Sequence, residues 1–139
     1  RGAILLAVVG AKLSEGINFQ DNLARCVAMV GLPFPNAKSK ELTERITYVR
    51  HSQSASDAGD RGRELYLNMC MRAVNQSMGR AIRHQNDYAV FLLLDRRYAR
   101  EEIRARLPGW IRLRVRMYEH FGSSIGALAA FFREKRQQT

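Results

Sequence analysis

Cysteine is scarce in this 139-residue chain: only Cys26 and Cys70 occur, and no C-x-x-C pair is formed. That excludes a disulfide framework or a thiolate zinc site built by this chain alone. His51, His84 and His120 lie far apart and make no ligand pattern. No apolar run reaches the length a membrane span needs, and no secretory leader is recognisable. An intracellular, reducing compartment is therefore expected. A phosphate-cradling G-x-x-x-x-G-K-[ST] loop is also missing, and "GAKLSEG" at 10–16 lacks the Gly-Lys-Ser/Thr order that would replace it. Lysine is the rarer base, since only Lys12, Lys38, Lys40 and Lys135 stand among 23 basic residues.

What is present is arginine, nineteen residues of it, giving a net charge of +10 and a pI near 10.4. A guanidinium offers a planar fork that matches phosphate, whereas an ammonium offers a point charge. The balance points to a polyanionic partner.

Three short apolar runs, "AILLAVV" at 3–9, "RCVAMV" at 25–30 and "YAVFLLL" at 88–94, read as strands buried on both faces of a parallel sheet. Helices are expected over 39–50, 62–84, 109–120 and 124–135, with Ser39 capping the first. Residues 51–60, "HSQSASDAGD", have no apolar anchor and read as a mobile loop. The pattern predicts an α/β layer fold, in which ligands gather beyond the carboxyl ends of the strands. Three strands make a small sheet, and the chain opens almost directly on one of them, so a truncated domain is expected.

The long helix carries a pattern of its own. At 100° per residue Leu67, Met71, Val74, Met78 and Ile82 share one face. Gln76, Arg80 and Arg83 share the opposite one, with Arg72 a turn earlier. Gly79 sits among them, where a glycine inside a helix costs about 1 kcal/mol relative to alanine. A position without a side chain beside two arginines lets a phosphate or another backbone come close. In "GLPFPN", Pro33 and Pro35 stiffen the chain around Phe34, which either stacks on a base or packs on the neighbouring helix. Asp95 and Arg97 are expected to pair and to lock the strand end to 76–83, and Trp110 to anchor the last helices in a core.

These segments carry a resemblance. "GAKLSEGINF" at 10–19 resembles motif V, and "QSMGRAIR" at 76–83 resembles motif VI (Q-x-x-G-R-x-x-R), of superfamily 2 helicases. The ordered series "GAILLAVVGAKLSEGINF", "MVGLPFPN", "CMRAVNQSMGRAIRHQNDYA", "LLDRRYAR" and "LPGWI" is similar to the XPD-like iron-sulfur DNA helicases. Within these it is most similar to the DEAH-type chromosome-loss branch. The resemblance runs from Gly2 to about Lys135.

It implies a partial RecA-like domain, the C-terminal part of the second of two, with a short mostly parallel sheet flanked by helices and ending in C-terminal helices. It implies a nuclear, ATP-dependent translocase that unwinds DNA with 5′ to 3′ polarity. Gln76, Arg80 and Arg83 would be catalytic and face the nucleotide, the arginines acting as fingers on the γ-phosphate. Gly16 and Asn18 would join them at the nucleotide. Ser14, Glu15 and Gly16 would touch the DNA backbone. Many relatives carry aspartate at the position of Asn18, and an amide keeps the hydrogen bond but not the charge. ATP and Mg²⁺ would be held mainly by the first RecA-like domain, which supplies the phosphate loop and DEAH box. The iron-sulfur cluster would belong to the parent protein, because two isolated cysteines cannot ligate it. The partners implied are single-stranded or forked DNA, the first RecA-like domain, and replication-fork and cohesion factors, with no membrane. The other reading of the arginine excess is a catalytically silent module that binds nucleic acid or protein.

Overall fold

A computed structural model of the chain describes residues 2–11, 19, 23–51, 58–82, 84 and 86–138. Strand β1 covers Cys26–Val30, helix α1 Lys40–His51, helix α2 Ala58–Met78 and strand β2 Val90–Leu94. A 3₁₀ turn at Arg96–Ala99 leads into short α3, Glu101–Arg104. Then come short α4, Gly109–Arg112, and α5, Phe121–Gln137. The chain divides into two compact units, residues 1–108 and 109–139.

In the first unit β1 and β2 pair in parallel, Cys26 opposite Val90 through Val30 opposite Leu94. The pairing begins one residue earlier, where Val90 N–H donates to the Arg25 carbonyl at 2.9 Å. It continues past the strand end, where Gly31 N–H donates to the Leu94 carbonyl at 3.2 Å. The Arg25 guanidinium clasps the amino ends of both strands. It donates to Asp87 Oδ1 at 2.6 Å and to the Tyr88 carbonyl at 2.8 Å, and lies 3.9 Å from the Tyr88 ring centre.

Helix α2 supplies the largest share of the core, because Leu67, Cys70, Met71, Val74 and Met78 recur at helical spacing and are all buried. Met29 of β1, Leu32 after it, Leu42 of α1, Ala81 after α2, and Tyr98, Ile103 and Leu107 after β2 pack around them. Arg63 of α2 is joined to Glu102 of α3 at 2.8 Å.

Several expectations change. Residues 3–9 form no strand. Ile4 is 90% exposed, Leu6 87% and Val8 77%, and among the described residues the sheet contains only β1 and β2. A strand is defined by its hydrogen-bonded neighbour, so an apolar run without one stays irregular. Strand β1 is covered on one face rather than both, since Cys26, Ala28 and Val30 are exposed while Met29 is buried, and β2 is half-buried along residues 90–93.

Of the loop expected at 51–60, His51 ends α1 and residues 58–60 begin α2, while 52–57 lie outside the described residues. The helix expected at 62–84 ends at Met78, so Gly79 lies beyond it rather than inside.

In the second unit the helix expected at 109–120 is a single turn. The stretch "RLRVRM" alternates base and apolar residue with a period of two, not 3.6, and Leu113 and Met117 are exposed. Trp110 is 45% exposed rather than a core anchor, and its neighbour Ile111 is the buried residue.

Candidate functional site

Helix α2 stops where its last turn tightens. Gly79 N–H donates to the Asn75 carbonyl at 2.9 Å, closing the final α-turn. Arg80 N–H then reaches Ser77 O at 3.4 Å and Ala81 N–H reaches Met78 O at 3.2 Å, the shorter i to i+3 spacing of a 3₁₀ exit. A Cβ on Gly79 would meet the Asn75 carbonyl oxygen at 3.4 Å and the Gln76 carbonyl oxygen at 3.7 Å, ordinary van der Waals contacts, so the turn itself does not require glycine. Because Gly79 follows the helix, it escapes the helix-interior penalty. Ala81, 1% exposed, plugs the chain back into the core.

This exit brings Gln76 and Arg80 to the same end of α2. Gln76, in the last turn, is exposed, and Arg80, just past it, is half-buried. The arrangement offers an amide and a fixed cation at one rim, suited to oxygen-rich anions. Arg83, Ser14, Glu15, Gly16 and Asn18 lie outside the described residues.

The carboxyl ends of β1 and β2 form a second set. Asp95 accepts from Arg97 N–H at 2.8 Å, from Nε at 3.0 Å and from Nη2 at 2.7 Å, thereby capping the 3₁₀ turn. Those bonds, the side-chain ones first, hold the Asp95 carboxyl down at about 2. The expected pair is thus made, but its described contacts run to Phe34, whose ring centre lies 5.5 Å from the Arg97 guanidinium, and not to 76–83. Phe34 stacks on Tyr66 of α2 with ring centres 5.0 Å apart, and Tyr66 OH donates to Pro35 O at 2.8 Å. Of the two roles open to Phe34, the structure shows packing on the helix. Gly31 turns the chain with φ at 81°, a left-handed conformation that favours glycine, and its carbonyl accepts from Tyr98 OH at 3.1 Å. Burial raises the Tyr98 hydroxyl well above its ordinary value and raises the Cys70 thiol to about 11.

Sequence reasoning missed a groove on the polar face of α2. It has a volume of about 600 Å³ and is lined by Asn68, Met71, Arg72, Asn75, Gln76 and Arg106. Arg106 arrives from the turn after α3. Its Nε donates to Asn68 Oδ1 at 2.9 Å, its Nη1 to the Glu102 carbonyl, and its own carbonyl accepts from Asn75 Nδ2 at 2.9 Å. The helical stripe of Asn68, Arg72 and Gln76 was readable by spacing. Arg106, far away in sequence, carried no signal.

Among the described residues no group of His, Cys, Asp and Glu could hold a metal ion. The two cysteines do not fit an iron-sulfur cluster, since Cys70 is fully buried on α2 and Cys26 stands on a different element, β1. No described helix is long and apolar enough to cross a membrane.

A short parallel sheet flanked by helices is consistent with a partial RecA-like domain. The chain belongs to the helicase C-terminal domain family, whose model matches residues 1–114. Its relatives include the ATP-dependent DNA helicase DDX11 of Mus musculus, 53% identical over 135 residues covering 96% of this chain. The DDX11 helicase of Danio rerio is 48% identical over 137 residues, or 99% of the chain. The ATP-dependent DNA helicase chl1 of Schizosaccharomyces pombe is 47% identical over 135 residues, or 96%. The resemblance to the chromosome-loss branch is thereby borne out. The chain spans 15%, 15% and 16% of the length of these three relatives.

Proposed function

We propose that this chain supplies one side of the ATP site, and part of the DNA track, of a nuclear ATP-dependent DNA helicase that moves 5′ to 3′. The observation carrying this reading is the exit of α2, which presents Gln76 and half-buried Arg80 at one rim of a helicase C-terminal domain. ATP is the substrate, held with Mg²⁺ mainly by the first RecA-like domain. Arg80 and Arg83 lend positive charge to the γ-phosphate as negative charge spreads over it in transfer. Such fingers contribute about 10³ to 10⁵ in rate. Gln76 supplies an amide that can orient the same oxygens. Gly16 and Asn18 complete the nucleotide contacts, and Ser14, Glu15 and Gly16 meet the DNA backbone. The partners on this reading are single-stranded or forked DNA, the first RecA-like domain, and replication-fork and cohesion factors, and the iron-sulfur cluster belongs to the parent protein.

The test is Arg80→Lys and Arg83→Lys in the full-length enzyme. Lysine keeps the charge and loses the planar fork, so kcat should fall by orders of magnitude while ATP affinity falls much less. Near-normal kcat in both variants would overturn the finger assignment.

A further inference from the structure

The groove on α2 shares Gln76 with the nucleotide reading, which leaves its other polar lining residues, Asn68, Arg72, Asn75 and Arg106, without a role. Its lining residues are two arginines, three amide-bearing residues and the buried apolar Met71, with no acidic residue among them. Arg72 is exposed and makes no ion pair among the described residues. Arg106 is half-buried and pre-oriented. Of its five N–H groups, one is spent on Asn68 and one on the Glu102 carbonyl, leaving donors for a ligand. Asn75 ties the Arg106 backbone to α2, so both walls of the groove are fixed before anything binds. Glu102, the nearest acid in sequence, turns its carboxylate to Arg63 at 2.8 Å instead.

We propose that Arg72 and Arg106 form a phosphate-binding groove with Asn68 and Asn75, and that its ligand is the phosphodiester backbone of a nucleic-acid strand. The volume of about 600 Å³ lies in the range of small-molecule sites, roughly 300 to 1,000 Å³, so a nucleotide unit fits. Two arginines that line one space, with no acidic residue in that lining, supply the planar forks a phosphate binds best. Amide side chains add neutral donors for the remaining oxygens. The groove reads charge and not bases, as expected for a track that must pass any sequence. The source of the strand rests on the reading of the chain as part of a DNA helicase, whereas the phosphate chemistry does not.

The experiment uses the full-length protein and labelled oligothymidylate, titrated by fluorescence anisotropy at several salt concentrations. Arg72→Glu reverses an exposed charge. Asn68→Asp keeps the acceptor for Arg106 Nε while placing a negative charge in the groove, so the two variants test one site by different routes. Each should weaken DNA binding by about tenfold or more and lower the slope of log K against log salt by about 1. Affinity for a fluorescent ATP analogue, measured in parallel, should fall far less. If the analogue's affinity falls instead and DNA binding holds, the groove still binds phosphate, but that of the nucleotide. Wild-type affinity for both ligands in folded variants, checked by thermal melting, would overturn the proposal. Arg80→Lys leaves the groove intact and is read by turnover, so either proposal can fail without the other.

Discussion

Cys70 shows how a buried side chain is governed by its neighbours. It is fully buried on α2, and burial raises its thiol to about 11, an effect that Arg97 partly offsets. A folded value above the ordinary 9.0 favours the neutral thiol in the folded state. The resulting stabilisation is complete below pH 9 and is lost as pH rises through about 11. Two outcomes follow from burial and protonation together. At neutral pH an alkylating reagent should leave Cys70 unmodified in the native protein and modify it once denaturant unfolds the domain, as peptide mass mapping would show. Native modification as fast as in denaturant would contradict the buried position. Gly79 belongs to the same scale. It lies just past the end of α2, whereas the helical wheel alone placed it in a helix interior.

Among the elements, the β1–β2 pair is held at both ends. At the carboxyl ends Phe34 stacks on Tyr66, and at the amino ends Arg25 grips Asp87 and Tyr88. The Asp87 side chain is 1% exposed, so truncating Arg25 removes a 2.6 Å ion pair from a buried carboxylate. Arg25→Ala should therefore cost on the order of 3 kcal/mol, and Arg25→Lys less, because the charge survives while the fork to the Tyr88 carbonyl does not. Denaturant midpoints measure both. A loss for Arg25→Ala within about 0.5 kcal/mol would show that the clasp adds nothing to strand pairing.

For the whole molecule the governing facts are charge and incompleteness of chemistry. The net charge of +10 comes almost wholly from arginine, and neither a phosphate loop nor a DEAH run occurs in the sequence. The 139-residue chain by itself should show no DNA-stimulated ATP hydrolysis, because arginines that stabilise a transferring phosphoryl group need another domain to hold it. A release assay on a preparation free of contaminating ATPase checks this. Measurable turnover would mean that the chain holds a complete site.

The α/β class, both strands of the sheet, the two long helices of the first unit and the apolar face of α2 were legible from residue order. Branched runs and 3.6-residue spacing are local properties that the sequence displays directly. Leu67, Met71, Val74 and Met78 are buried as that spacing predicts. The end of α2 at Met78 was not legible, since it depends on Ala81 finding a place in the core. Residues 3–9 have the composition of a strand and form none, because composition supplies the side chains of a strand and only a neighbour supplies its hydrogen bonds. The groove follows the same logic. Arg72 and Asn68 share a helix face by spacing alone, but Arg106 reaches them only because Glu102 and Asn75 hold the turn after α3 against α2. Contacts between residues distant in the chain are decided by packing and carry no periodicity, and the groove was invisible until the fold was in hand.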